Sequence, residues 1–146
     1  MNSSSIPEQF IGPLVEVSQH AWYRDATDPR CPHDGWLEGF EITIEGSAGD
    51  EDQCVRTIRI VLLAPYHNGT ITMHYRQVAG YAVTLRDPRS PGRISSRRDW
   101  LADTIECLSD GTMKHVIEWE DQVWTIESRE VDYQWMPSDP LLKSEL

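Results

Sequence analysis

An Asn-Gly pair inside a run of alternating apolar residues is the feature that most constrains the fold of this chain. Asn68 and Gly69 lie within IRIVLLAPYHNGTITMHY, residues 58–75. Both residues tolerate the positive φ of a tight hairpin turn, and the flanking residues alternate as half-buried strands do. The pattern predicts an antiparallel hairpin with Asn68 and Gly69 as the loop, in which His67 pairs with Thr70.

This register sorts the hairpin residues onto two faces. One face collects apolar side chains, namely Ile58, Ile60, Leu62, Ala64, Tyr66, Ile71, Met73 and Tyr75. His67 and His74 fall on the opposite face, about 13 Å apart at about 3.4 Å per residue. That distance is too long for one zinc ion, which binds imidazole nitrogen at about 2.0–2.1 Å. We expect the two histidines to flank a turn rather than to form a site.

A second hairpin is predicted in MKHVIEWEDQVWTIES, residues 113–128. With Asp121 and Gln122 as its loop, Trp119 faces Trp124, a type of cross-strand pair that stabilises sheets. The same register places Ser128 opposite His115.

Three further stretches, 35–45, 79–85 and 131–135, alternate as strands do. The last has its apolar residues at odd positions, so a bulge or corner near residues 128–130 is expected. Residues 13–24 fit a strand or a short helix, and residues 99–111 fit either, with a strand favoured. The fold class predicted is mainly β: an antiparallel sandwich or partly open barrel of about seven or eight strands, with at most one or two short helices.

The length of 146 residues fits a single β-rich domain over 1–146. Residues 1–12 and 136–146 are expected to be flexible tails, and 86–98 a long arginine-rich loop. The longest apolar run, 60–65, is far too short to cross a bilayer, and no secretory signal begins the chain.

Three cysteines occur far apart, at positions 31, 54 and 107. An odd and scattered set is typical of reduced thiols, so the sequence predicts a cytoplasmic protein rather than a disulfide framework.

The formal net charge of −11 argues against nucleic-acid binding over the main surface. An acidic surface does favour the approach of a basic protein partner. The predicted contact surface consists of Asp50, Glu51, Asp52, Glu118, Glu120 and Asp121, with Arg93, Arg97 and Arg98 as a second contact.

A catalytic arrangement is the sharpest alternative. If residues 101–108 form a strand that ends in a three-residue loop with Gly111, Asp103 becomes a diagonal neighbour of His115. Asp103, His115 and Ser128 then line up in the order that nucleophilic hydrolysis requires. No Gly-x-Ser-x-Gly elbow surrounds Ser128, so a buried polar network is the preferred interpretation.

Cys31 and His33, in RCPHDGW, are potential metal ligands. A structural zinc site normally needs a second ligand pair, which is lacking, and Asp34-Gly35 is an ordinary turn before a strand. We predict no metal and no cofactor. Six tryptophans leave open a β-barrel whose aromatic lining binds a small ligand.

Residues 56–135 contain LLAPYHNGTITMHY, VAGYAV, DGTMKHVIEWE and VWTIESREVDYQW in this order. The succession of hairpin, loop, second hairpin and Tyr-x-Trp ending resembles a set of short bacterial proteins of unknown function. That resemblance implies a β-rich fold and an immunity-type or accessory role, with no catalytic residues. The sequence therefore predicts a small acidic, non-enzymatic protein that binds another macromolecule. The hydrolase and the ligand-binding barrel are the alternatives.

Overall fold

The computed structural model describes residues 6–45, 55–85 and 99–138. Within these ranges the chain forms one short α-helix, a 3-10 helix and the strands of a single antiparallel sheet. The strands are β1 (Glu8–Gly12), β2 (Trp36–Glu45), β3 (Val55–Leu63), β4 (Gly69–Leu85), β5 (Trp100–Cys107), β6 (Met113–Trp119) and β7 (Gln122–Pro137). The α-helix is α1 (Leu14–Val17), and the 3-10 helix spans Ala21–Arg24. No helix in the described ranges is long and apolar enough to cross a membrane.

The strands follow the order β2-β3-β4-β7-β6-β5, and β1 pairs with the second half of β7. β7 is long enough to pair with β6 along its first half and with β1 along its second, while β4 runs beside both halves. An isolated bridge between Trp36 and Asp99 joins the two ends of this path. The prediction of a mainly β, antiparallel fold built from hairpins is confirmed, and the sheet is partly closed at this bridge.

The turn of the first hairpin differs from the prediction. Leu63 pairs with Thr70, and the amide of Ala64 donates to the carbonyl of Gly69 at 3.0 Å, so residues 65–68 form the loop. Gly69 cannot serve as a loop residue because it is buried against Trp135, where a Cβ would also lie 2.8 Å from the carbonyl oxygen of Met136. The predicted two-residue loop was wrong because the glycine is needed for this close approach rather than for the turn.

The apolar face of this hairpin is nevertheless the one predicted. The register moved by an even number of residues, which leaves every side chain on its original face. The buried members are Ile58, Ile60, Leu62, Ala64, Ile71, Met73 and Tyr75. Tyr66 is the exception, because it lies in the longer loop and is exposed. His67 lies within the same loop and His74 in β4, so only His74 lies beyond the turn that both were expected to flank.

The second hairpin also forms with a different register. Ile117 pairs with Trp124, so the predicted pairing of Trp119 with Trp124 was wrong, although their rings still touch at 4.8 Å between centroids. The Glu-Asp-Gln stretch lacks the Asn-Gly or Asp-Gly pair that specifies a two-residue turn, so turn chemistry constrained the register only weakly. His115 consequently lies opposite Ile126 and not opposite Ser128.

The expected corner in β7 is present. Burial falls on even positions over 124–128, and the buried apolar side chains over 131–135 stand at odd positions. In the neighbouring strand β4, Gln77 adopts a φ of 53°, and the register shifts between Val78 and Gly80. Together these irregularities turn both strands over, which returns apolar side chains to the core beyond the bend.

Several ambiguous segments are settled by the structure. Residues 100–107 form a strand, as favoured, whereas residues 13–24 contain α1 and the 3-10 helix. Residues 8–12 were expected to belong to a tail, but they form β1, since β6 leaves the second half of β7 without a neighbour on that side. Residues 136–137, also expected in a tail, continue β7. The predicted loop 86–98 lies outside the described residues.

Candidate functional site

Asp103 and His115 are brought together by the pairing of β5 with β6. Ile105 lies opposite His115, as the sequence predicts, so Asp103 sits two residues along β5 on the same face. His115 Nε2 lies 2.7 Å from Asp103 Oδ2. The two side chains are 1% and 3% exposed, so the pair is buried.

The ring of His115 has a partner on each nitrogen. A carboxylate can only accept hydrogen bonds, so Nε2 carries a hydrogen and donates it to Asp103. The Tyr75 hydroxyl lies 2.7 Å from Nδ1, and in the neutral ring it donates its hydrogen to that nitrogen. Because Tyr75 is on β4 and His115 on β6, this contact crosses the interior between strands that are not neighbours in the sheet.

The carboxylate of Asp103 is also bound by the 3-10 helix. The Tyr23 hydroxyl donates to Oδ2 at 2.8 Å, and Arg24 NH1 donates to Oδ1 at 2.6 Å. Burial raises the pKa of Asp103, but the hydrogen bond and charge of His115, the charge of Arg24 and the Tyr23 bond outweigh it. The net effect lowers the pKa of Asp103 below its ordinary value, so the carboxylate is ionised at neutral pH.

The two tyrosines of this network are permanent donors. Burial, and then the charge of Asp103, raise the pKa values of Tyr23 and Tyr75 well above the ordinary value of 10.0. Both hydroxyls therefore keep their hydrogens at neutral pH.

Ser128 does not join this network. Ser128 lies opposite Met113. The Tyr75 hydroxyl contacts Nδ1 of His115, the nitrogen at which the hydrolase hypothesis requires Ser128 once Nε2 is bound to Asp103. Sequence reasoning missed Tyr75 because its strand is not adjacent to β6, and alternation says nothing about contacts across the interior. Asp103, His115 and Tyr75 form a chain of hydrogen bonds in which each buried polar group satisfies the next.

A cleft of about 350 Å³ opens beside this network. Its lining includes Arg24 and Asp103 together with Cys31 and His33, so two sets of sequence candidates meet here. Burial raises the pKa of the Cys31 thiol, which donates to the Tyr23 carbonyl at 3.0 Å and is a weak nucleophile and metal ligand in that state. Among the described residues, no three His, Cys, Asp or Glu side chains converge as a metal site.

The predicted acidic contact surface is described only in part. Residues 50–52 and the three arginines at 93, 97 and 98 lie outside the described residues. Glu118 is near the end of β6, and Glu120 and Asp121 form the turn between β6 and β7. Gln122, which follows this turn, pairs with Leu85 at the end of β4, so the acidic turn lies beside the end of β4.

Half-exposed apolar side chains lie on β2 and on the end of β4 beside this turn, and we call them the apolar end. They are Phe40, Ile42 and Ile44 on β2 and Tyr81, Val83 and Leu85 on β4. Their exposures range from 38% to 68%. The ring of Phe40 packs 4.7 Å from that of Trp124, and Val83 lies opposite Trp124 in the sheet, so this surface continues into the core.

Sequence alternation places the apolar residues of each strand on one face, which is the pattern of core residues. Their exposure follows from strand lengths: β4 runs to Leu85, but the described part of β3 pairs with it only up to Tyr75. Beyond that point the apolar face of β4 extends past its neighbour, which no local pattern reveals.

Comparison with known proteins identifies no family for this chain. The resemblance of residues 56–135 to short β-rich bacterial proteins rests on their hairpins and stays a prediction. No protein-family model, curated protein or solved structure matches this chain.

Proposed function

We propose that this protein is a small, non-enzymatic binding protein whose apolar end takes up an extended basic segment of another polypeptide. The observation that carries the proposal is the half-exposed apolar end of β4, where Leu85 pairs with Gln122 next to the acidic turn at Glu120 and Asp121. A contiguous apolar surface with a charged rim is typical of a protein-interaction site.

The apolar part supplies the affinity. Covering one half-exposed side chain of this size recovers about 1 kcal/mol, since complete burial is worth about 1.5–3 kcal/mol. Association costs consume part of the total, so the surface suits a partner of moderate affinity.

The charged part selects the partner. The net charge of −11 draws a basic segment towards the protein and repels an acidic one. Carboxylates at the β6–β7 turn then border the apolar end, where lysine or arginine side chains of the segment can pair with them.

The edge of β2 provides the mode of binding. Beyond Trp36, the pairing described for β2 is with β3 alone, so its other edge presents backbone donors and acceptors. A segment that adds to this edge satisfies those groups and places every second side chain beside Phe40, Ile42 and Ile44. An extended strand with alternating apolar and basic residues meets both requirements.

Free thiols at Cys31 and Cys107 support a reducing compartment, such as the cytoplasm, as the place where the protein acts.

A designed peptide tests the proposal. The probe is a twelve-residue peptide that alternates lysine with valine and isoleucine, titrated calorimetrically, and a version with glutamate for lysine is the charge control. We expect a Kd of about 10 µM for the basic peptide, weakening as salt screens the carboxylates, and no measurable binding of the acidic one.

Variants assign the binding to a surface. Ile42→Ser and Val83→Ser should each weaken binding at least about tenfold. Ile11→Ser, at a similarly exposed position on β1, is the matched control and should bind as the wild type does. Absence of binding at about 1 mM peptide, or equal losses in the control, would contradict the proposal. A wild-type dimer that Ile42→Ser dissociates would also overturn it, because a second copy would then occupy the apolar end.

A further inference from the structure

The guanidinium of Arg24 is held in one orientation at the rim of the 350 Å³ cleft. Its NH1 donates to Oδ1 of Asp103 at 2.6 Å and contacts the Asp103 backbone oxygen at 3.4 Å. The guanidinium carbon also lies 5.0 Å from the centroid of the Tyr23 ring, a cation–π arrangement. Arg24 is therefore oriented before any ligand arrives, although its side chain is 53% exposed.

One edge of this guanidinium remains available. The hydrogen bonds and the ion pair of Arg24 within the described residues all use NH1. The Nε–NH2 edge presents two parallel N–H groups, whose spacing matches the two oxygens of a carboxylate. A side chain that is already fixed loses little further entropy when such a ligand binds.

The remaining lining of the cleft combines apolar and polar groups. Ala26, Pro32, Leu101 and Ala102 contribute walls, and His33 adds a second nitrogen group at the rim. A volume of about 350 Å³ lies at the small end of the range for ligand sites.

We infer that this cleft binds a small organic carboxylate, with its carboxylate on the Nε–NH2 edge of Arg24 and its apolar body against Pro32 and Leu101. A ligand of roughly ten non-hydrogen atoms fits a site of this size. Asp103 is a positioning residue here: it fixes Arg24 and is itself fixed by His115 and Tyr23. The site is separate from the apolar end and does not depend on the proposed function.

Three probes separate the features of the ligand. Benzoate carries both the charge and the apolar ring, benzamide is its neutral isostere, and inorganic phosphate is an oxyanion without an apolar body. Each is titrated into ¹⁵N-labelled protein, with backbone amide shifts as the readout. We expect benzoate to shift amides of residues 24–33 and 100–103 with a Kd of about 1 mM or tighter, and the other two to bind at least about tenfold more weakly.

Variants test the assignment to Arg24. Arg24→Gln should weaken benzoate binding at least about tenfold. The matched control is Arg76→Gln, since Arg76 is similarly exposed and pairs with another buried carboxylate, that of Asp132 at 3.3 Å. Ala102→Phe is designed to fill the cleft while keeping Arg24 itself, so it should abolish binding even if Arg24→Gln fails to fold.

Four results would overturn the inference. They are no benzoate-induced shifts at about 20 mM, equal affinity for benzoate and benzamide, tighter binding of phosphate than of benzoate, and unchanged affinity in a folded Arg24→Gln or Ala102→Phe variant.

Discussion

His115 donates from Nε2 to the carboxylate of Asp103 at 2.7 Å, and neither side chain is more than 3% exposed. With Tyr75 on the other ring nitrogen and Tyr23 on the carboxylate, the pair connects β4, β5, β6 and the 3-10 helix. These elements are not all neighbours in the sheet, so the hydrogen bonds fix how the sheet curves around its core. We therefore assign this buried network to the architecture, and we propose binding at the apolar end and at the cleft beside Arg24.

Removing the carboxylate should destabilise the fold strongly. Asp103→Ala leaves the Nε2 hydrogen of His115 and the hydroxyl of Tyr23 buried without an acceptor. We expect a loss of about 3–5 kcal/mol in the free energy of unfolding, measured by urea denaturation. Asp103→Asn keeps one acceptor oxygen and should lose less. A loss below about 1 kcal/mol for the alanine variant would show that the network contributes little.

The same carboxylate makes stability depend on acid. The folded-state pKa of Asp103 is lowered from the ordinary 3.8, so its contribution is complete above that value and is lost as pH falls through the folded-state pKa. The free energy of unfolding of the wild type, measured in urea, should therefore fall steeply below about pH 4. Asp103→Asn should show a shallower dependence over that range, and identical slopes in the two proteins would contradict the assignment.

Tyr75 and Ser128 offer a direct comparison of two candidate partners of His115. Tyr75→Phe leaves Nδ1 of the buried ring without its partner and should cost about 1–3 kcal/mol. Ser128→Ala breaks no hydrogen bond to His115 and should change the unfolding free energy by less than about 1 kcal/mol. A larger loss for the serine variant would restore Ser128 as the partner of the imidazole.

A substitution at Gly69 tests whether its close approach to Trp135 explains the long loop of the first hairpin. Gly69→Ala places a Cβ against Trp135 and 2.8 Å from the carbonyl oxygen of Met136, so the strands must shift. We expect a loss of about 1–3 kcal/mol in thermal or urea unfolding. Gly39→Ala is the control, since its Cβ would meet Val61 at an ordinary 3.7 Å. An alanine tolerated equally well at both positions would contradict the close approach.

The sequence predicted the faces of the strands better than their registers. Alternation decides which residues are buried, and a shift of two or four residues leaves those faces unchanged, as it did in both hairpins. Register depends on how the sheet packs, and the burial of Gly69 against Trp135 involves residues far apart in the chain. The same limit hid Tyr75 as the second partner of His115.

The surface features were less accessible to sequence reasoning. Val83 and Ile42 have the pattern of core residues, and only the lengths of neighbouring strands leave them exposed. The cleft at Arg24 depends on a 3-10 helix within residues 13–24, a segment for which the sequence left both a strand and a short helix open. Asp103 was placed correctly as a diagonal neighbour of His115 because the predicted three-residue loop, with Gly111 at a φ of 88°, fixes the register of β5 against β6.

The most direct test of the buried network is the ¹⁵N NMR spectrum of the His115 ring at neutral pH. The account predicts a hydrogen on Nε2 that exchanges slowly with water, and a signal that changes in Asp103→Asn and not in Ser128→Ala. An Nε2 without hydrogen, or one whose hydrogen exchanges as fast as that of an exposed histidine, would contradict the bond to Asp103 on which this account rests.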